Sequence, residues 1–192
     1  MLTGHHVTLV PLSHTHRDGL IEAAGDLWKL WYTAIPAPGE MDAEIDRRLG
    51  LKAAGSMEPF TVIDSDGAIA GMTTFMNIDS VHNRREVGHT WYARRVQRTP
   101  LNTEAKLLLL THAFETLGCI AVEFRTHFLN QQSRRAIERL GAKLDGVLRN
   151  HQRAKDGSLR DTCVYSIIAC EWPAVRTHLL WQLEKPREGA LF

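Results

Sequence analysis

Residues Val96 to Leu110, VQRTPLNTEAKLLLL, run from a polar loop into an almost uninterrupted apolar helix former. The first N–H groups of such a helix have no intrahelical acceptor, and they lie at the positive end of the helix dipole. Together they make an anion site, and phosphate is the usual guest. Arg84, Arg85, Arg94, Arg95 and Arg98 form a local basic cluster around this loop. It reads either as a solvated face or as a screen for the anion's charge. Further on, Asn130 reads as a helix N-cap with Ser133 in the first turn. His5, His6, His14 and His16 raise a metal reading, which fails because His5 and His6 alternate across a strand and no carboxylate or cysteine completes a set. Cys119, Cys163 and Cys170 show neither ligand nor redox spacing, so they read as reduced thiols of a cytoplasmic protein. The G-K-[ST] lysine of P-loop nucleotide hydrolases is absent.

The elements that position these residues follow from periodicity. The chain has 192 residues, the size of one domain, and a formal net charge of +1, which favours neither nucleic acid nor an acidic membrane. The N-terminus lacks the basic and apolar regions of a signal peptide, and no apolar run is long enough to cross a bilayer. HVTLVPL alternates as a first strand. HTHRDGLIEAAGDLWKLWY is helical and is broken by AIPAPGE, and MDAEIDRRLGLKAAG reads as a second helix. FTVIDSDGAIAGMTTFM is a hairpin around Asp66-Gly67, and REVGHTWYA is another strand. A helix from about Thr103 to Leu117 ends at Gly118, and CIAVEFRTHF follows as a strand. Ala136, Ile137 and Leu140 form the stripe of a short helix before Gly141. A second hairpin turns at Asp156-Gly157, and a last helix opens near Glu171-Trp172-Pro173. This order predicts a single α/β domain over residues 1–185. It has a mixed sheet of about seven strands with helices on both faces, and a frayed tail at 186–192.

Gln97 to Asn102 resembles the pyrophosphate loop of the GNAT acetyltransferases, Q/R-x-x-G-x-G/A, with Pro100 and Asn102 where glycines belong. TEAKLLLLTHAFETLG, NQQSRRAIERLGA, PLSHTHRDGL, DGSLRDTCVYSI and EWPAV are similar to segments of the RimJ/RimL-like branch in the same order. The resemblance covers about residues 2 to 180. It implies acetyl-CoA as cosubstrate and transfer of acetyl directly to an amine, either a protein N-terminus or a small molecule. A coenzyme A-binding protein without catalysis is the rival reading, and a homodimer is an assembly the resemblance leaves open.

The resemblance also assigns roles. Backbone N–H groups near Gln97, Arg98, Thr99, Asn102 and Thr103, with the Thr99 and Thr103 hydroxyls, would cradle the pyrophosphate. Pro100 supplies no N–H, so either the Asn102 side chain replaces it or the loop binds less tightly. Asn130 would bond the pantetheine arm, and Ser133 with Arg134 would reach the phosphate end. Glu86 matches the spacing of a glutamate that serves in some relatives as base; the other reading is that it orients the strand. By alternation His89 faces the opposite side from Glu86. Ile137 stands about where relatives carry a proton-donating Tyr or Ser, so the general acid is not assigned. Trp28, Trp31 and Tyr32 are core residues on one reading and line the acceptor pocket on the other.

Overall fold

The computed structural model describes residues 1–31, 35–154 and 156–185. Tyr32 and the segment 186–192, expected as a tail, lie outside the described residues. One mixed sheet of eight strands forms the body: β1 (Leu2–Thr3), β2 (Val7–Pro11), β3 (Met57–Asp64), β4 (Ile69–Asp79), β5 (Arg84–Tyr92), β6 (Ala121–His127), β7 (Lys143–Arg153) and β8 (Leu159–Ile168). They lie in the order β1-β2-β3-β4-β5-β6-β8-β7, antiparallel except for the parallel pair β5–β6. The helix between those two strands is α3 (Leu101–Thr111). It makes the crossover that a parallel pair requires. The other helices are α1 (Arg17–Ala24), α2 (Met41–Ala53), α4 (Gln131–Arg139) and α5 (Trp172–Glu184).

The two faces can be told apart by side-chain contacts. Thr61 of β3 reaches His16, at the start of α1, at 2.8 Å. Its neighbour Phe60 points the other way, edge-on to Phe75 at 6.2 Å, and Phe75 meets His112 at the end of α3. So α1 and α2 cover one face, while α3 covers the other. The α5 residue Trp172 stacks on Phe114 at 5.3 Å and donates to Glu115 at 2.9 Å, which ties α5 beside α3.

Local chemistry explains most boundaries. Asn130 caps α4 by accepting the Ser133 N–H at 3.0 Å, Gly118 closes the α3 segment at φ 65°, and Pro173 sits in the first turn of α5. The first helix is shorter than its periodicity predicts: Gly25, at φ 50°, ends α1, and only a 3₁₀ turn at Leu27–Lys29 follows. The α3 segment continues past Thr111 as a π-helical turn over His112–Thr116. The short β1 was not expected. It is held by pairing with β2 and by Glu104 of α3, whose carboxylate accepts the N–H groups of His5 at 2.9 Å and His6 at 2.5 Å. Those histidines therefore occupy a bend before β2 and not the strand predicted to start there. Among the described residues, no helix is long and apolar enough to cross a membrane, and no group of three or more His, Cys, Asp or Glu side chains gathers as a metal site.

Candidate functional site

Strands β5 and β6 pair only from Arg84–Ala121 to Glu86–Glu123. Beyond Glu86, β5 runs on to Tyr92 against β4, and β6 runs on to His127 against β8. The two strands thus part into a wedge, and the inner edge of each presents backbone N–H and C=O groups to whatever enters. At the β5 side of the wedge the chain passes through a 3₁₀ turn at Arg94–Val96 into α3. Here the Gln97 amide donates to the Tyr92 carbonyl at 3.0 Å. Arg98 adopts a left-handed backbone at φ 62°. The Thr99 hydroxyl donates to the Val96 carbonyl at 2.7 Å and accepts the Leu101 N–H at 3.3 Å, so it braces the loop itself. Asn102 and Thr103 stand in the first turn of α3, where N–H groups lack intrahelical acceptors.

Asn130 lies where β6 gives way to α4, its N–H donating to the His127 carbonyl at 2.9 Å. Arg134, expected to reach the phosphate end, is oriented by the protein itself. Its Nε donates to the Tyr165 hydroxyl at 3.0 Å, and its guanidinium lies 4.8 Å over the Phe128 ring. The Tyr165 hydroxyl in turn donates to Glu138 at 2.8 Å. Ile137 is buried on α4. Three arginines of the basic cluster are held in separate ion pairs. Arg84 binds Glu123 at 2.6 Å, Arg94 binds Asp26 at 2.9 Å, Arg95 binds Asp64, and Arg85 lies 5.8 Å from the Phe75 ring.

Glu86 opens the wedge. It is 5% exposed, and its Oε2 accepts the Asn77 amide at 2.8 Å with the Arg125 Nε at 3.5 Å. Burial raises its pKa, against the Asn77 hydrogen bond and the Arg125 charge. A Cβ at position 88 would lie 3.1 Å from Glu86 Oε1, so Gly88 keeps the space beside the carboxylate open. A cavity of about 180 Å³ borders Glu86, lined also by Asn77, Arg84, Glu123 and Arg125.

His89 does not face away from Glu86. The β4–β5 register slips between Met72–Trp91 and Thr74–Gly88, so two residues of β5, His89 and Thr90, oppose Thr73 alone. At this bulge His89 has φ 46°. The extra residue resets the alternation, and His89 joins Glu86 on the α2 side, while Thr90 turns to the other face and bonds Thr73 at 2.8 Å and Lys106 at 2.9 Å. His89 keeps a solvent-exposed edge, but the protein crowded around it desolvates the ring, and Arg48 and Arg47 repel its charge. Its pKa falls to about 4, leaving it neutral at pH 7.

Three more residues complete this side of the wedge. Arg48 of α2 is 1% exposed; its Nε binds Glu44 at 2.7 Å and its Nη2 donates to the His89 carbonyl at 3.4 Å. Burial pushes Glu44 up, but Arg47 and Arg48 together outweigh it and hold its pKa at about 2. His127 accepts the Leu129 N–H on Nδ1 at 3.0 Å, and Trp31 meets its ring edge-on at 5.4 Å. Burial and then the Arg160 charge lower the His127 pKa. Trp31 thus reaches the end of β6, whereas Trp28 is 42% exposed on its 3₁₀ turn with the Lys29 ammonium 5.6 Å from its ring. The sequence held a signal for two of the residues that were overlooked. Met41, Ile45 and Arg48 recur along the buried stripe of α2, so the arginine occupies a core position. Glu123, Arg125 and His127 alternate along β6, a polar face on a strand whose other face is buried Val122 and Phe124.

A helix start with free N–H groups, an open strand edge and a buried carboxylate thus border one wedge. Known proteins share this fold. The family model described as Acetyltransferase (GNAT) domain matches residues 6–143. YdaF of Bacillus subtilis (strain 168), named as a ribosomal N-acetyltransferase, is 32% identical over 107 residues, which span 56% of this chain and 57% of that protein. A GCN5-related N-acetyltransferase from Brucella melitensis superposes with a TM-score of 0.86 at 30% identity, over 98% of this chain and 88% of that one. The structure of RimL, a ribosomal L7/L12 alpha-N-protein acetyltransferase in complex with coenzyme A, superposes with a TM-score of 0.73 at 16% identity, over 86% of this chain and 95% of that one, a likeness of fold. This chain belongs to the GNAT acetyltransferase family.

Proposed function

We propose that this protein is an acetyl-CoA-dependent N-acetyltransferase whose acceptor is the α-amine of a protein N-terminus. The observation that carries the reading is the wedge that opens at Glu86, with the α3 N-terminus at one end and a desolvated carboxylate at the other. The residues fit the cosubstrate. The N–H groups of Asn102 and Thr103 suit a pyrophosphate, and the β5 edge beyond Glu86 suits an amide-rich arm that hydrogen-bonds as a strand does. Asn130, at the far wall, holds the end of β6 in place through its cap and its bond to His127. Bound acetyl-CoA supplies the activated acetyl group.

The acceptor amine enters from the α1/α2 side, where Trp31 and His127 form an aromatic wall. Glu86 takes its proton, directly or through water, in the space that Gly88 leaves open. An α-amine titrates near ~8, against ~10 for a lysine side chain, so a modest base suffices for it. A carboxylate raised by burial matches that demand. The names of YdaF and RimL point to protein acceptors for those proteins and support the same class here. The absence of any disulfide among three free cysteines suits a cytoplasmic location.

The test pairs ligand stabilisation with turnover. Acetyl-CoA should raise the melting temperature more than adenosine diphosphate does, and peptides with a free N-terminus should release thiol from it faster than N-blocked, lysine-containing peptides. Release only with free small amines would move the acceptor to a metabolite. Stabilisation without release from any amine would make the protein a coenzyme A binder.

A further inference from the structure

Four arginines, Arg48, Arg85, Arg125 and Arg160, each bury a guanidinium nitrogen without a hydrogen-bond partner, and two of them, Arg48 and Arg160, bear on His89. Nη1 of Arg48 has no hydrogen-bond partner, although the residue is 1% exposed. Nε of Arg160, on β8, is likewise buried and unpartnered. Arg48 shares its single carboxylate, Glu44, with Arg47, and Glu123 is divided between Arg84 and Arg125. Among the described residues no carboxylate lies within ion-pair distance of Arg160, and Glu86 reaches it only through the field. Arg48 Nη2 donates to the His89 carbonyl at 3.4 Å, and Arg160 lies two residues along β8 from Thr162, the cross-strand partner of His127, and so on the same face; both charges also act on His89, and that of Arg160 on His127. Burial first and these charges second lower the pKa of both histidines, that of His89 to about 4, so the fixed positive charge at this end of the cleft belongs to the arginines.

Burying a guanidinium N–H without an acceptor is unfavourable, and an arginine keeps its charge even when burial lowers its pKa. Arg94, Arg95 and Arg84 are each met by a carboxylate, Asp26, Asp64 and Glu123, whereas Arg160 has none and Arg48 has only the Glu44 that it shares with Arg47. Arg160 instead shares the sheet face of His127, which Trp31 meets, and Arg48 lies under the His89 bulge. The guanidinium fork matches a carboxylate bidentately and holds it in a fixed orientation.

We propose that Arg48 and Arg160 bind a carboxylate of the acceptor, so that the site selects N-termini followed closely by Asp or Glu. The inference rests on the N-acetyltransferase reading and names the acceptor class within it. The carboxylate places the amine beside Glu86, and it neutralises charge that the fold leaves open. A free amino acid carries the same chemistry in its own α-carboxylate, so the test separates the two sources.

The experiment measures thiol release from acetyl-CoA with Ser-Glu-Asp-, Ser-Ala-Ala- and Ser-Lys-Lys-initiated peptides and with free serine. Peptide binding to the coenzyme A-loaded protein is followed in parallel by calorimetry. The acidic peptide should exceed the neutral one in kcat/KM by roughly 10- to 100-fold, the range for hydrogen bonds to a charged group, and the advantage should shrink with added salt. Arg160→Gln removes no hydrogen bond within the protein, so it should fold, and it should abolish most of that preference through KM. Arg149→Gln, on the exposed β7 partner of Asp161, is the control and should leave the preference intact. Equal kcat/KM for acidic, neutral and basic peptides would overturn the inference while leaving the transferase reading standing. A preference for free serine over every peptide would keep the carboxylate site and overturn its assignment to Asp or Glu side chains. If no amine is acetylated, the transferase reading fails, and calorimetry still decides the inference. Acidic-peptide binding that Arg160→Gln removes upholds the carboxylate site, and binding that ignores the substitution overturns it.

Discussion

Replacing Glu86 with glutamine separates chemistry from architecture. The side chain is 5% exposed and nearly isosteric with glutamine, whose amide oxygen can still accept from Asn77. What changes is the charge. Burial raises the Glu86 pKa above its reference of 4.5 in spite of Asn77 and Arg125, so the fold holds the ionised form at a disadvantage. The native state therefore binds more protons than the unfolded chain from about pH 4.5 up to the raised pKa. By linkage, stability falls as pH rises through that window, and the full penalty is present above it. Glu86→Gln removes that penalty. At pH 7 the variant should melt no lower than the parent, and its advantage should fade as the pH is lowered toward 4.5. Turnover should behave in the opposite way. Loss of a positioned base lowers kcat/KM by roughly 10²–10⁴-fold, about 3–5 kcal/mol of barrier. The gap should narrow above pH ~8, where an α-amine is already largely neutral. Thiol-release kinetics from pH 6 to 9.5, with calorimetric melting on the same samples, read both quantities. A variant that melts lower but turns over at the parental rate, with an overlapping pH profile, would show that Glu86 only orients β5.

Two further substitutions test other parts of the cleft. Asn130→Ala deletes the side-chain acceptor of the Ser133 N–H and should lower stability by about 1 kcal/mol in urea unfolding; acetyl-CoA affinity should fall with it, and unchanged affinity would leave Asn130 a cap alone. Lys106 is buried against the Thr73 and Thr90 hydroxyls, and burial lowers its pKa from 10.5 to about 7. The unfolded chain holds the extra proton between those values, so the parent should gain on the order of 2–3 kcal/mol from pH 7 to 9 relative to Lys106→Met; parallel unfolding curves at both pH values would refute the burial argument.

What the sequence revealed of this fold and site depended on how far each interaction reaches. Asn130 with Ser133, Gly118 and Pro173 were legible because a cap is written in residues a few positions apart. The parallel β5–α3–β6 unit was legible because loop, apolar helix and strand follow one another directly. The strand β1 was not, since Glu104, far along the chain, secures it. His89 was assigned to the wrong face because alternation holds only while a strand keeps its register, and nothing local in REVGHTWYA announces that the sheet absorbs an extra residue at the bulge. The arginines misled for a related reason. Neighbours in sequence look like one basic patch, yet Asp26, Asp64 and Glu123 arrive from three different parts of the chain to pair with three of the five. Arg48 and Arg160 also bury unpartnered donors, and neither belongs to that run of neighbouring arginines. An arginine's availability is thus a property of which carboxylates the fold brings to it. For that reason the proposed cosubstrate side of the cleft, a contiguous loop and helix start, is visible in the sequence, whereas the proposed acceptor side, assembled from α2, β5, β6 and β8, requires the fold.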